Sequence, residues 1–179
     1  MNKHLLILLA TFIFQTHSFT QTISEAKDFL KQQLELNPAS DKYSQFSLFA
    51  DELPKKDLQS FINKEFDTSL YSQIFIQFET LSMNGKTVKS KTNAFDIAGI
   101  KNIQITSVDF YTQITIYIKD GFKNVFTENN ALKSTVDIRK LSRAVFFIKR
   151  NESLAERIEK SLYFLCKQYG GSPIEKSAF

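Results

Sequence analysis

From residue 73 onward one constraint recurs: apolar and polar residues alternate, and turn dipeptides separate the alternating runs. In QIFIQFETL (73–81), Ile74, Ile76 and Phe78 share one side. Gln73, Gln77 and Glu79 share the other, with Phe75 interrupting the polar side. A period of two puts alternate side chains on opposite faces of a strand, so each run predicts a half-buried β-strand. Asn84-Gly85 follows, a dipeptide suited to a type I′ turn because both central residues need positive φ. KTVKSKTNAFDI (86–97) returns as the partner strand, and KNIQITSV (101–108) is another. QITIYIKDGFKNVF (113–126) reads as a hairpin with Ile114, Ile116 and Ile118 on one face and Asp120-Gly121 at its turn.

Two shorter runs complete the β set. KYSQFSLFA (42–50) alternates Phe46 and Leu48 against Gln45, Ser47 and Phe49, and predicts a short strand. SRAVFFIK (142–149) is short and apolar enough for a last strand. TENNALKSTVDIRK (127–140) reads as loop or irregular helix.

Helical periodicity appears at three places. In residues 22–36, Ile23, Ala26, Leu30 and Leu34 fall on one face, and Thr22 with Glu25 has capping-box spacing. Asn37-Pro38 stops that helix, because the residue before proline is pushed out of helical geometry. Residues 54–66 show a second helical period through Leu58, Phe61, Ile62 and Phe66. Residues 153–171 carry a third, with Leu154, Ile158, Leu162, Leu165 and Tyr169 in a stripe. Ser153 and Glu156 are spaced as a capping box, and Gly170-Gly171 ends the stripe.

The N-terminus reads as a leader. MNKH is basic, LLILLATFIF is a ten-residue apolar run, and QTHSFTQ is small and polar. That is the order of a secretory signal peptide, and the run is shorter than the ~20 residues a transmembrane helix needs. The expected organisation is therefore a signal peptide at 1–20, one globular domain at 21–171, and a flexible tail at 172–179. Within the domain, 22–36 is the N-terminal helix and 43–169 the β-rich body with its capping helix. The chain is expected to be exported, to a bacterial periplasm or the medium, without a transmembrane anchor.

Export decides which chemistry remains. Both histidines, His4 and His17, lie in the leader, and the single cysteine is Cys166. A chain without histidine lacks the commonest general base and the usual zinc ligands. Ser-His-Asp and Cys-His mechanisms are excluded with it. Asp96, Asp109, Asp120 and Glu128 fall in the β region, but their spacing singles out no catalytic pair. Cys166 sits on the apolar side of the last helix and reads as a buried thiol, with an intermolecular disulfide as the alternative. The net charge of +4 falls to +3 once Lys3 is removed, which demands no nucleic acid. The basic residues of DIRKLSRAVFFIKR (137–150) read as flanking charge on an apolar strand rather than a nucleic-acid surface. Lys86, Lys89 and Lys91 cluster on one hairpin and are the candidate contacts for an anionic partner, beside an edge-protecting role.

The order of these elements, carried by IKNIQITSVDFYTQITIYIKDGFKNVF and then AERIEKSLYFL, resembles the pleckstrin-homology-like superfamily over residues 43–169. The resemblance implies a seven-stranded barrel capped by a C-terminal helix, with no catalytic motif. The expectation is thus an α+β fold, mainly β: about seven antiparallel strands in a PH-like barrel or strongly curved sheet, with a capping C-terminal helix and an extra N-terminal helix. An α+β sheet packed by helices, or a calycin-like barrel, remains open. The functional expectation is a non-enzymatic binding or interaction module of the cell envelope. No cofactor or metal is implied. The expected partner is an envelope protein, and the alternative is a small hydrophobic or lipid-like ligand carried in a barrel cavity. With 18 Phe and no Trp, composition does not distinguish a hollow interior from a filled one.

Overall fold

The computed structural model describes residues 21–52, 66, 68–84, 86–130 and 135–174. The expected leader, all of the 54–66 helix except Phe66, Gly85 and the last five residues lie outside them. The elements in order are α1 (Ile23–Leu36), β1 (Tyr43–Phe49), β2 (Ile74–Met83), β3 (Lys86–Asp96) and β4 (Ile100–Val108). Then come β5 (Tyr111–Ile118), β6 (Asn124–Asn130), β7 (Thr135–Lys140), β8 (Arg143–Lys149) and α2 (Glu152–Gln168).

All ladders are antiparallel, and they build two sheets, one ordered β1-β2-β3-β6-β7 and the other β4-β5-β8. The class is α+β, with a helix near each end. Among the described residues the two sheets share no ladder, so the closed barrel implied by the resemblance is not present. Eight strands are described. The extra one comes from residues 127–140, which are not loop or helix. Residues 127–130 finish β6 and 135–140 form β7. The TENN stretch of β6 has little strand propensity, and backbone pairing to β3 and across β6–β7 overrides it, whereas Thr135, Val136 and Ile138 of β7 are β-branched residues suited to a strand.

Residues 113–126 also pair differently from expectation. Both halves are strands, but β5 pairs with β4 and β8, while β6 pairs with β3 and β7. A type I′ hairpin needs positive φ at both central residues. Here Gly121 has φ +87°, while Asp120 is not among the positive-φ residues. The Phe122 N–H donates to the Lys119 carbonyl at 3.2 Å. Positive φ at the third residue of such a turn is the type II requirement, which glycine meets at least cost. The turn sends the chain from one sheet into the other. Asn84, at φ +52°, does have the conformation its hairpin between β2 and β3 demands.

The helices follow the sequence closely. Thr22 and Glu25 form the complete capping box of α1, and Asn37 closes its C-terminus. Hydrogen bonds from Thr22, chiefly its backbone N–H, lower the Glu25 carboxyl below its ordinary range. The cap of α2 is Asn151 rather than Ser153: its Oδ1 accepts from the Leu154 N–H at 2.9 Å. After α2, Gly170 adopts φ +81° and Gly171 passes against Cys166 and the Ala98 carbonyl, where a Cβ has no room. Residues beyond it are anchored: the Ile174 N–H donates to the Lys101 carbonyl at 2.7 Å, and Lys119 reaches Ser172. The expected tail from residue 172 is thus tied to the fold at least through Ile174.

The main core joins both sheets and both helices. Phe49, Phe75 and Phe95 from the five-stranded sheet meet Phe146 of β8, with ring centroids 5.8 Å apart for Phe75–Phe146 and 6.1 Å for Phe95–Phe146. Leu30 and Leu34 of α1 and Ile158, Leu162 and Leu165 of α2 close it. A second cluster lies on the opposite face of the larger sheet, where Ile74, Ile76, Ala94 and Val125 pack with Phe66. Both faces of that sheet are therefore covered over part of their length.

Candidate functional site: a groove between the sheets

In β1 the side that carries Gln45, Ser47 and Phe49 turns inward, and Leu48 on the other side packs against the second core cluster. Phe46 is 47% exposed, whereas Gln45, Ser47 and Phe49 are buried. The polar side of β2 turns inward with them. Strand register then lays out three cross-strand rows on one face. Phe49, Phe75, Phe95 and Asn124 form the first; Ser47, Gln77, Asn93 and Phe126 the second; Gln45, Glu79, Lys91 and Glu128 the third.

The second and third rows are linked by amides. Asn93 Nδ2 donates to Gln77 Oε1 at 3.4 Å, and Gln77 Nε2 donates to Gln45 Oε1 at 3.1 Å. Gln45 Nε2 then donates to the Leu34 carbonyl at the end of α1, at 2.7 Å. A helix C-terminus presents carbonyls that lack intrahelical donors, and Gln45 supplies one. Burial in this setting requires such pairing, since an unpaired amide costs roughly 1–3 kcal/mol.

Beyond the amides the face opens. Strand β8 ends the smaller sheet and packs near β3 and β6. Its even residues, Ala144, Phe146 and Ile148, face the core, while Val145 and Phe147 face a groove. The narrower end, about 320 Å³, is lined by Ala39, Tyr43, Gln45 and Tyr111. The wider end, about 380 Å³, is lined by Asn93, Gln113, Phe126, Leu141, Arg143 and Val145. Glu79, Lys91 and Phe147 line both, so the two ends adjoin along these three side chains. Tyr111 and Phe147 meet edge to face at 5.3 Å. Glu79 lies 3.5 Å from Lys91, with side chains 10% and 27% exposed.

The sequence candidates fall into place around this groove. Lys91 lines it and is paired with Glu79; Lys89 pairs with Glu128 at 2.8 Å; Lys86 is exposed at the start of β3. The three therefore do not act as one cluster of free cations. Asp96 is buried and caps the 3-10 turn Ile97–Gly99, its Oδ1 accepting from the Ala98 N–H at 2.9 Å. Burial raises its carboxyl above the ordinary value, against the lowering effect of that hydrogen bond. Asp109 and Asp120 sit at exposed turns, so these acids do not converge with Glu128. Cys166 is a buried free thiol, pushed up to about 11 by burial, with its Sγ 3.7 Å from the Ala98 carbonyl. Of the basic residues flanking β8, Arg143 lines the groove, and Lys149 and Arg150 are exposed.

Among the described residues no group of His, Cys, Asp and Glu gathers to hold a metal ion, and no helix is long and apolar enough to cross a membrane. Sequence reasoning missed Gln45, Glu79, Asn93, Gln113 and Phe147 as groove residues. The available signal was Phe75 on the otherwise polar side of β2: one phenylalanine there means part of that side is internal. Comparison with protein-family models, with curated proteins and with solved structures returns no match.

Proposed function

We propose that this chain is an exported, non-enzymatic binding module of the bacterial cell envelope, and that the groove between its sheets is the recognising surface. The observation that carries the reading is the pair of adjoining clefts that share Glu79, Lys91 and Phe147 as walls. Binding clefts combine apolar walls with a few placed polar groups, and this one has aromatic rings above a hydrogen-bonded polar floor. The basic, apolar, then small-and-polar order of residues 1–20, which reads as a signal peptide, supports the location. The likeness to the pleckstrin-homology-like superfamily contributes only its order of strands followed by a terminal helix.

Carriage of a lipid-like ligand would need an enclosed apolar cavity. Phe49, Phe75, Phe95 and Phe146 pack on one another, which removes the phenylalanine content as an argument for it.

Site-specific photocrosslinking in the intact envelope tests the proposal. A photoreactive residue at Val145, in the groove, is expected to capture a discrete species. The same residue at Lys160, exposed on α2, is not. Equal labelling from both positions, or none from Val145 and Gln113, would overturn the reading.

A further inference from the structure

We infer that the groove takes an uncharged saccharide chain, an inference that rests on the groove being the binding surface. The chemistry of the floor selects the class. Glu79 and Lys91 form an internal pair, so the floor offers a charged acceptor and a charged donor with no net charge. Their separation of 3.5 Å exceeds the ~2.7–2.9 Å of a tight charge-assisted hydrogen bond. Both groups therefore retain capacity toward a ligand. Hydroxyl groups both donate and accept, and a polyhydroxylated ligand satisfies carboxylate, ammonium and carboxamide together.

Other classes fit less well. An anion would compete with Glu79 for Lys91 and would otherwise meet only Arg143, which is solvent-exposed at the wider end, while a cation would compete with Lys91 for Glu79 and also face Arg143. A wholly apolar ligand would strip water from the pair without replacing its hydrogen bonds, which is costly. An extended peptide gains its main-chain affinity from a free sheet edge. The floor is a sheet face, already paired within its ladders. At the far end of β8, Ile148 bridges to Pro38 and the Lys149 N–H donates to the Asn37 carbonyl, so that stretch of edge is occupied too.

The walls supply the second half of a sugar's surface. Pyranose rings present C–H faces that pack on aromatic surfaces, and Tyr43, Tyr111 and Phe147 provide such surfaces beside the polar floor. Gln113 stands at the wider end with its Nε2 held by Thr115 at 2.9 Å, which fixes its amide. Both ends fall at the lower limit of the ~300–1,000 Å³ range of ligand clefts, which suits a short run of sugar units lying along the groove.

The test is a nitrogen-15 NMR titration of the purified protein with three neutral hexasaccharides: β-1,4-linked glucose, α-1,4-linked glucose and β-1,4-linked N-acetylglucosamine. At least one is expected to shift the amide resonances of Gln113, Val145 and Phe147 saturably. Glu79→Gln, which keeps the shape, is expected to weaken that binding about tenfold with an unchanged thermal melt, and Phe147→Ala to weaken it further. No saturable shift with any of the three overturns the inference, as does binding confined to a galacturonate hexamer or to palmitate. A protein captured from Val145 while the sugars stay silent overturns the saccharide and leaves the binding proposal standing. Silence in both experiments removes both.

Discussion

The two ends of one sheet face behave as different materials. At one end Phe49, Phe75 and Phe95 lie in a row under Phe146 and exclude water. Two rows away, on the same side of the sheet, Gln45, Glu79 and Lys91 occupy equivalent positions and open on a groove. Between them runs the amide row, whose hydrogen bonds reach the end of α1. The face thus grades from apolar to charged within two rows. The comparison teaches that burial here does not mean one thing: Phe75 and Gln77 are almost equally inaccessible, at 0% and 1%, yet one is stabilised by packing and the other by hydrogen bonds at both its Nε2 and its Oε1.

The sharpest way to break the comparison is Phe75→Ala. It removes ring contacts to Phe49, Phe95 and Phe146, and should lower stability by about 3–5 kcal/mol, read by urea unfolding. Next, Gln77→Ala leaves Gln45 Oε1 and Asn93 Nδ2 without partners and should cost about 1–3 kcal/mol in the same assay. If Gln77→Ala proved harmless, the amide row would be incidental and the grading would have only two parts.

Asn124 sharpens the comparison from the other side. It ends the phenylalanine row, is buried, and neither of its side-chain polar atoms has a partner. Asn124→Leu should raise the melting temperature, corresponding to a gain of about 1 kcal/mol, because two unsatisfied atoms leave the interior. Glu79→Gln should change stability by less than about 1 kcal/mol, since Lys91 keeps access to solvent. A larger loss there than at Gln77 would invert the ordering of the rows.

The smallest expected effect is in pH dependence at Asp96, next to Phe95. Burial raises its carboxyl above the ordinary 3.8, so the folded chain holds the proton to higher pH than the unfolded chain. Stability from this group is present below the unfolded value and is lost as pH rises through the folded one. Asp96→Asn preserves an acceptor for the Ala98 N–H and has no charge to bury. The difference in unfolding free energy between native protein and variant should shift in favour of the variant as pH rises from about 3.8. A flat difference would place Asp96 in contact with water.

Much of the fold was legible because its cause is local. The capping box of Thr22 and Glu25, the stop at Asn37-Pro38 and the apolar stripe of α2 are decided within one or two turns of chain. The period of two marked the main strands for the same reason. The errors have one physical origin. Alternation says that two faces differ, but not which faces inward when both are covered. In β1 the polar parity went inside because Gln45 could bond Gln77 and the α1 terminus, contacts that only the assembled fold supplies. At the end of β6, ladders across the sheet imposed strand on Glu128, Asn129 and Asn130, which carry little sign of it. The groove was hidden similarly: Glu79 and Phe147 are far apart in sequence and meet only because β8 comes to lie near β3.

The amino-acid sequence by itself determined α1 with its cap, the apolar stripe of α2, the main strands apart from β7 and the end of β6, and the reversal at Asn84, because each depends on backbone torsions and near neighbours. Tertiary structure alone decided that the turn at Gly121 joins two sheets, that the described strands form two sheets sharing no ladder, and that a polar row lines a groove. Those outcomes depend on which distant strands offer free backbone donors and acceptors, and on which side chains find partners once water is expelled.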